Sequence, residues 1–277
     1  MLFEAWRGAG WRIVAPEKFG HDPRFAVSSN WPQLREQLLH EIDAQVDAQP
    51  GAGAAPVHLV GHSLGGYLAL MAACRRPGRF ASVLLLDAPL FDGWRAHSVH
   101  AMKLAGLMRR VSPGRVSRTR RWQWPSREAA RAHFAAKSAF ARWHPAVLDD
   151  YIAAGLEADP EQPAGGVRLA FRREVETAIY NQLPHTLAAV ARRHPPRCPV
   201  GFVAGTRSAE LHQTGLAATR ALTRGHLRWI DGSHLFPMER PDETAAAVLQ
   251  WLAAPGDEGW RQAVDHPGPP VPARAPG

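Results

Sequence analysis

Residues 57 to 66 read VHLVGHSLGG, a short apolar run that ends in a serine bracketed by glycines. The run predicts a strand and the residues behind it, Leu64 to Cys74, contain no proline, so a helix can begin at once. Between them Gly61, His62, Ser63, Leu64 and Gly65 form a G-x-S-x-G pattern. Such a pattern needs glycine on both sides because the turn from strand to helix is too sharp for Cβ atoms there. The geometry throws Ser63 out of the sheet edge. It also sets the unpaired N–H of Leu64 and the positive end of the helix dipole beside the serine oxygen, where a developing oxyanion would be stabilised.

In this order of strand, elbow and helix, GHSLGG resembles the nucleophile elbow of the α/β-hydrolase superfamily, and the similarity runs over residues 1 to about 254. The resemblance implies an α/β fold, a mostly parallel sheet flanked by helices with an inserted helical cap. A chain of 277 residues is long enough for one large core plus an inserted subdomain. The expected division is a core formed by 1–93 and 198–254, a cap over 94–197, and a disordered tail over 255–277, where proline, glycine and charge dominate.

Along the chain, residues 2 to 9 read as the tail of a helix and Trp11 to Ala15 as a strand stopped by Pro16. His21 and Asp22 follow in a loop, where they are read as bracing side chains. Leu34, Leu38, Leu39, Ile42 and Val46 share one face of a helix over 31–46, and a Gly/Ala/Pro loop over 50–56 leads into the elbow strand. Ala81 to Leu86 predicts the next strand, with Asp87 at its carboxyl end, where ligand groups gather in parallel α/β sheets. No strand of comparable strength is visible between Ala88 and about Arg197; the segment reads as helices broken by Pro113, Pro125, Pro145 and Pro160. Trp94, Trp122, Trp124, Trp143, Phe134 and Tyr180 would supply its apolar underside. Of these Trp94 and Tyr180, with His62 beside the serine, are the candidate substrate contacts. Strands resume at 199–204 and 227–230, and a helix over 242–252 closes the fold.

A serine hydroxyl needs a base in contact and a carboxylate to orient that base. In the superfamily these follow in the order serine, acid, histidine. DGSHLFPMERP resembles the family's terminal histidine loop, which implies His234 as the base, with Glu239, Arg240 and Pro241 as its accompanying residues. His212 and His226 lack that context and read as structural. The turn after the penultimate strand commonly carries the acid, but here Gly205, Thr206 and Arg207 lead to Ser208. Asp87 and Glu210 remain as candidates. Asp87 is favoured because its strand neighbours that of the serine; the alternative for Asp87 is a turn cap.

Relatives with aspartate at the elbow open alkyl halides or epoxides. Serine implies attack on a carbonyl through an acyl-enzyme, hence a small-molecule acyl substrate such as an ester, thioester or lactone. The competing expectations are a degenerate, non-catalytic binding relative and an acyltransferase. No metal-ligand cluster or phosphate-binding glycine loop is present, so neither metal nor cofactor is expected. The resemblance also implies strands and an HG-type oxyanion loop ahead of residue 1, so the chain reads as truncated at its N-terminus.

Two cysteines, Cys74 and Cys198, argue against a disulfide framework. With no leader-like start and no run approaching the ~18 apolar residues that span a bilayer, the chain is expected in the cytoplasm and not in the membrane. Its net charge is +8, and residues 94 to 142 alone carry twelve Lys or Arg against one acid, Glu128. Such runs are mostly solvated helix faces; a weak contact with an anionic surface through this basic stretch is the functional reading, and nucleic acid is not an expected partner.

Overall fold

The computed structural model describes residues 1–47, 56–108, 114–162 and 165–260. Most of the 50–56 loop and Pro113 lie outside them, as does the tail beyond residue 260.

Four parallel strands form the central sheet in the order β1 (His58–His62), β2 (Ser82–Leu86), β6 (Val200–Gly205) and β7 (Leu227–Ile230). Every residue of β2 and β6 is buried, the expected state of parallel strands covered on both faces. Alternate residues serve opposite cores: Val83 and Leu85 face one cluster, Leu84 and Leu86 the other. The first cluster takes in α2 (Pro32–Ile42), α3 (Leu64–Arg75) and the helix Leu187–Arg193. The second takes in α1 (Leu2–Gly8) and the helix Pro241–Ala253. α3 is buried from Gly66 to Cys74, which explains why its sequence is apolar all round rather than on one stripe.

β1 is the terminal strand, and only Leu59 and Gly61 within it are fully buried. The expected strand over 11–15 does not form; that stretch carries no regular secondary structure. Its apolar residues bury without a partner strand: Trp11 and Ile13 pack on the second cluster, and the Trp11 ring meets His58 edge-on at 5.2 Å. The expected bracing role of the next loop is met, since Asp22 accepts the Arg24 N–H and His21 Nε2 accepts that of Arg172.

The segment between β2 and β6 opens with α4 (Gly93–Leu104). Its helices are interrupted by a three-stranded antiparallel sheet, β3 (Gln123–Trp124), β4 (Leu156–Ala158) and β5 (Val167–Leu169), in the order β3-β5-β4. This corrects the purely helical expectation: strands of two or three residues are too short for local patterning to register, and β3 is fixed only by pairing with β5 across some forty residues. Trp124 and Phe134 build a separate apolar cluster there with Leu148 and Ile152. Several arginines of the basic run are paired internally, Arg120 with Glu176 and Arg131 with Asp149, each at 2.7 Å. Two contacts tie the segment to the short helix Phe236–Glu239 of the main body: Arg142 Nε donates to Glu239 at 3.2 Å and the His144 N–H to the Met238 carbonyl at 2.8 Å.

The chain past Pro255 continues into the core. Trp260 is buried, its ring 5.2 Å from that of Trp251 with Arg228 stacked at 4.2 Å. Large aromatic surface outweighs the local polarity that predicts disorder from residue 255. Among the described residues no helix is long and apolar enough to cross a membrane, and Cys74 and Cys198 are unpaired.

Candidate active site

β1 ends at His62 and α3 begins at Leu64, so Ser63 is the single residue between strand and helix, held at φ 50° and ψ −114°. A positive φ is strained for a residue with a side chain. The turn is closed by backbone contact: a Cβ on Gly61 would lie 2.2 Å from the Gly65 carbonyl carbon. Gly65 is different, because nothing lies within 4 Å of the Cβ it lacks. Of the two bracketing glycines only the first is required by space. As the first helical residue, Leu64 has an N–H without an intrahelical acceptor.

His234 lies in the loop between β7 and the short helix Phe236–Glu239. Its Nε2 stands 3.1 Å from Ser63 Oγ and its Nδ1 2.7 Å from Asp87 Oδ2. Asp87 follows β2, is almost wholly buried, and is held at φ 45°. Its carboxylate also accepts the Gly205 N–H on Oδ1 at 3.0 Å and the Ser208 hydroxyl on Oδ2 at 2.5 Å. Glu210 is half-exposed and stands 3.9 Å from His234 Nδ1. The structure therefore brings Ser63, His234 and Asp87 into one hydrogen-bonded chain and leaves Glu210 at its margin. β6 and the histidine loop approach so closely that a Cβ on Gly205 would sit 2.3 Å from the Ser233 carbonyl oxygen.

Burial disfavours the imidazolium of His234, but the bond to Asp87 and the charge of Glu210 outweigh it, and the net shift is upward from 6.5. His62 behaves oppositely. Burial, with the neighbouring His234, drives it down to about 4, so it is neutral near pH 7. Its Nε2–H donates to the His234 carbonyl at 2.8 Å. This contact gives His62 a bracing position against the histidine loop. Glu239 braces the same loop from the other side, accepting the Ser233 N–H at 3.0 Å and the Ser233 hydroxyl at 2.6 Å. Although burial pushes its carboxyl up, those bonds and Arg142 hold it below the ordinary value.

Of the other sequence candidates, Tyr180 is half-buried, and burial raises its phenol pKa. Trp94 corrects the reading of an apolar underside: it is 70% exposed in the first turn of α4, with the Arg95 guanidinium 4.9 Å from its ring. His226 has both ring nitrogens on backbone carbonyls, those of Thr223 and Gly256. Sequence reasoning missed Ser208 and Ser233. The signal for Ser208 was its place where an acid was sought; nothing local marked Ser233. Among the described residues one group could hold a metal ion by spacing alone, Asp87, Glu210 and His234, with ligand atoms within 4.8 Å of one another. The inner atoms of that group are engaged by the hydrogen bonds above.

Comparison with known proteins gives a consistent picture. The model of the alpha/beta hydrolase family matches residues 3–247. An Abhydrolase domain-containing protein, AFT2-1 of Alternaria alternata, is 27% identical over 233 residues, covering 71% of this chain and 83% of that protein. The monoglyceride lipase of Homo sapiens is 36% identical over 79 residues, 27% of this chain and 25% of the lipase. Among solved structures, a peroxisomal alpha-beta-hydrolase of Saccharomyces cerevisiae superposes with a TM-score of 0.60 at 17% identity. The match covers 82% of this chain and 60% of the yeast chain, and it is a likeness of fold.

Proposed function

The chain belongs to the alpha/beta hydrolase family, and from that premise we propose that it is a serine hydrolase acting on a carboxylic ester, thioester or lactone. The observation that supports this is the unbroken line of contacts from Ser63 Oγ to His234 Nε2 at 3.1 Å and from His234 Nδ1 to Asp87 Oδ2 at 2.7 Å.

In this reading Ser63 Oγ attacks the substrate carbonyl carbon as its proton passes to His234 Nε2. Asp87 keeps the Nδ1–H tautomer and balances the imidazolium that forms. The carbonyl oxygen, now an oxyanion, lies at the start of α3, where the Leu64 N–H and the helix dipole stabilise it. Collapse expels the alkoxide or thiolate, which takes the proton from Nε2, and leaves an ester on Ser63. Water then repeats the sequence, losing a proton to His234, and the carboxylic acid departs as Ser63 is regenerated. The strained backbone at Ser63 serves this chemistry by holding the hydroxyl out of the sheet, ready for attack.

An ester is the first bond to test, because a relative similar over 79 residues is by name a lipase. The reading requires no metal or cofactor and places the protein in the cytoplasm, in keeping with its free cysteines. A fluorophosphonate probe should label the wild-type protein and leave Ser63→Ala unlabelled, and p-nitrophenyl esters and acyl thioesters should then rank the substrates. Equal labelling of both proteins, or none of either, would sink the proposal; an unlabelled, folded wild type would favour a binding protein without turnover.

A further inference from the structure

A concavity lies away from the serine. α2, the last turns of α3 and the helix Leu187–Arg193 border a cavity of about 680 Å³, and none of Ser63, His234 or Asp87 lines it. α3 runs between the two places: Leu64 begins it beside Ser63, and Met71, Cys74 and Arg75 reach the cavity from its far end. A helix of twelve residues spans ~18 Å, so the two sites are separate.

The lining is one-signed. Arg35, Arg75, Arg193, Arg197 and His194 contribute to it and no carboxylate does. Glu36, which does not line the cavity, stands 2.5 Å from Arg35 and 4.0 Å from Arg75 and offsets part of that charge. Arg193 and Arg197 make no ion pair among the described residues. At the opposite end the wall includes Ser29, whose hydroxyl accepts from Lys103 Nζ at 3.3 Å. The other neighbours of Nζ are the Leu183 carbonyl and His185 Nδ1, neither of them a carboxylate. Burial pulls the Lys103 ammonium down to about 8, the mark of a cation without a counter-charge.

The rest of the lining is apolar, with Met71, Leu187 and Val190 prominent. Cys74 adds no charge, since burial pushes its thiol up to about 12. A cleft with walls of one sign concentrates its field on a counter-ion, and guanidinium forks match the oxygens of carboxylate or phosphate in pairs. The volume is that of a small-molecule site.

We infer that this groove binds an amphiphilic organic anion, its carboxylate or phosphate head held by Arg193 and Arg197 and its apolar body lying on Met71, Leu187 and Val190. The inference is independent of the hydrolytic reading and does not use Ser63.

Calorimetric titration of the full chain with octyl phosphate, octanoate and uncharged octanol tests it. Both anions, or one of them, should saturate a single site below about 1 mM, and octanol should not. Whichever anion binds more tightly identifies the head group. Arg193→Ala/Arg197→Ala should weaken anion binding at least tenfold, and Arg193→Lys/Arg197→Lys by less. Arg192→Ala, which removes an exposed side chain paired with Asp92, should leave it unchanged. These arginines are exposed, and an unaltered circular dichroism spectrum verifies that the variants fold. Absence of saturation by either anion overturns the inference, as does equal binding of octanol or equal affinity in the double alanine variant, which would place the ligand elsewhere.

Discussion

The Ser208 hydroxyl donates to Asp87 Oδ2, the same oxygen that faces His234 Nδ1. Ser208 follows β6 and Asp87 follows β2, and these strands are neighbours in the sheet. The turn where an acid was sought therefore holds in place an acid that comes from the adjacent strand. Its Oγ also accepts the Leu211 N–H, capping the helix Ala209–Thr214. A hydrogen bond to a charged group contributes ~1.5 to 3 kcal/mol, so Ser208→Ala should lower kcat about tenfold or more. KM should hold, because Ser208 meets the acid and not the substrate. Steady-state kinetics on the best ester from the panel checks this.

The two carboxylates near His234 should differ sharply on replacement. Asp87→Asn keeps the shape but leaves the imidazole in the wrong tautomer, a change that lowers kcat about 10⁴-fold in serine enzymes that share this arrangement. Glu210→Gln, at 3.9 Å and half-exposed, should stay within about threefold, as befits a screened pair. Comparable losses in both variants would show that Glu210 shares the acid's role.

The pH profile should carry the mark of the same surroundings. In the proposed reaction His234 can act as a base only when neutral, and its pKa is raised above 6.5. The acid limb of kcat/KM should therefore have its midpoint above 6.5, with activity rising through it as the imidazolium deprotonates. Glu210 is among the charges that raise it. Removing that charge destabilises the imidazolium, so Glu210→Gln should move the limb toward lower pH. A pH series of kcat/KM for the two proteins reads the direction.

At the elbow, the two glycines of the motif should respond differently. Gly61→Ala forces a Cβ to 2.2 Å from the Gly65 carbonyl carbon, and backbone at that range can only move away. The expected loss is ~1 to 3 kcal/mol, the scale of overpacking. Gly65→Ala meets nothing within 4 Å in the first turn of α3, where alanine gains at most the ~0.8 to 1 kcal/mol it has over glycine in a helix interior. Urea denaturation should show Gly61→Ala destabilised and Gly65→Ala unchanged or more stable.

These contrasts mark how far the sequence is readable. The elbow, β2, β6 and the helices on them are legible because each is an uninterrupted apolar run whose period or length identifies it locally. Ser63, His234 and Asp87 could be named for the same reason, each closing such a run or lying in a recognisable loop. Residues 11–15 mislead because Trp11 and Ile13 are apolar whether they join a ladder or merely bury against the core. β3, β4 and β5 are hidden because two or three residues carry no period, and for β3 only a distant partner makes it a strand. Ser208 and Ser233 are invisible for a further reason: their partners, Asp87 and Glu239, come from elsewhere in the chain or from across a turn, and a hydroxyl's role is set entirely by what it meets. Trp260 shows the same limit, because its polar surroundings in sequence say nothing of Trp251 waiting in space.

The grip of Arg142 on Glu239, reinforced by His144 on the Met238 backbone, bears on how the protein can be rebuilt. The stretch between β2 and β6 cannot be exchanged without breaking these two contacts. Any such graft would need to reproduce that handhold, because Glu239, which Arg142 meets, also holds Ser233 beside His234.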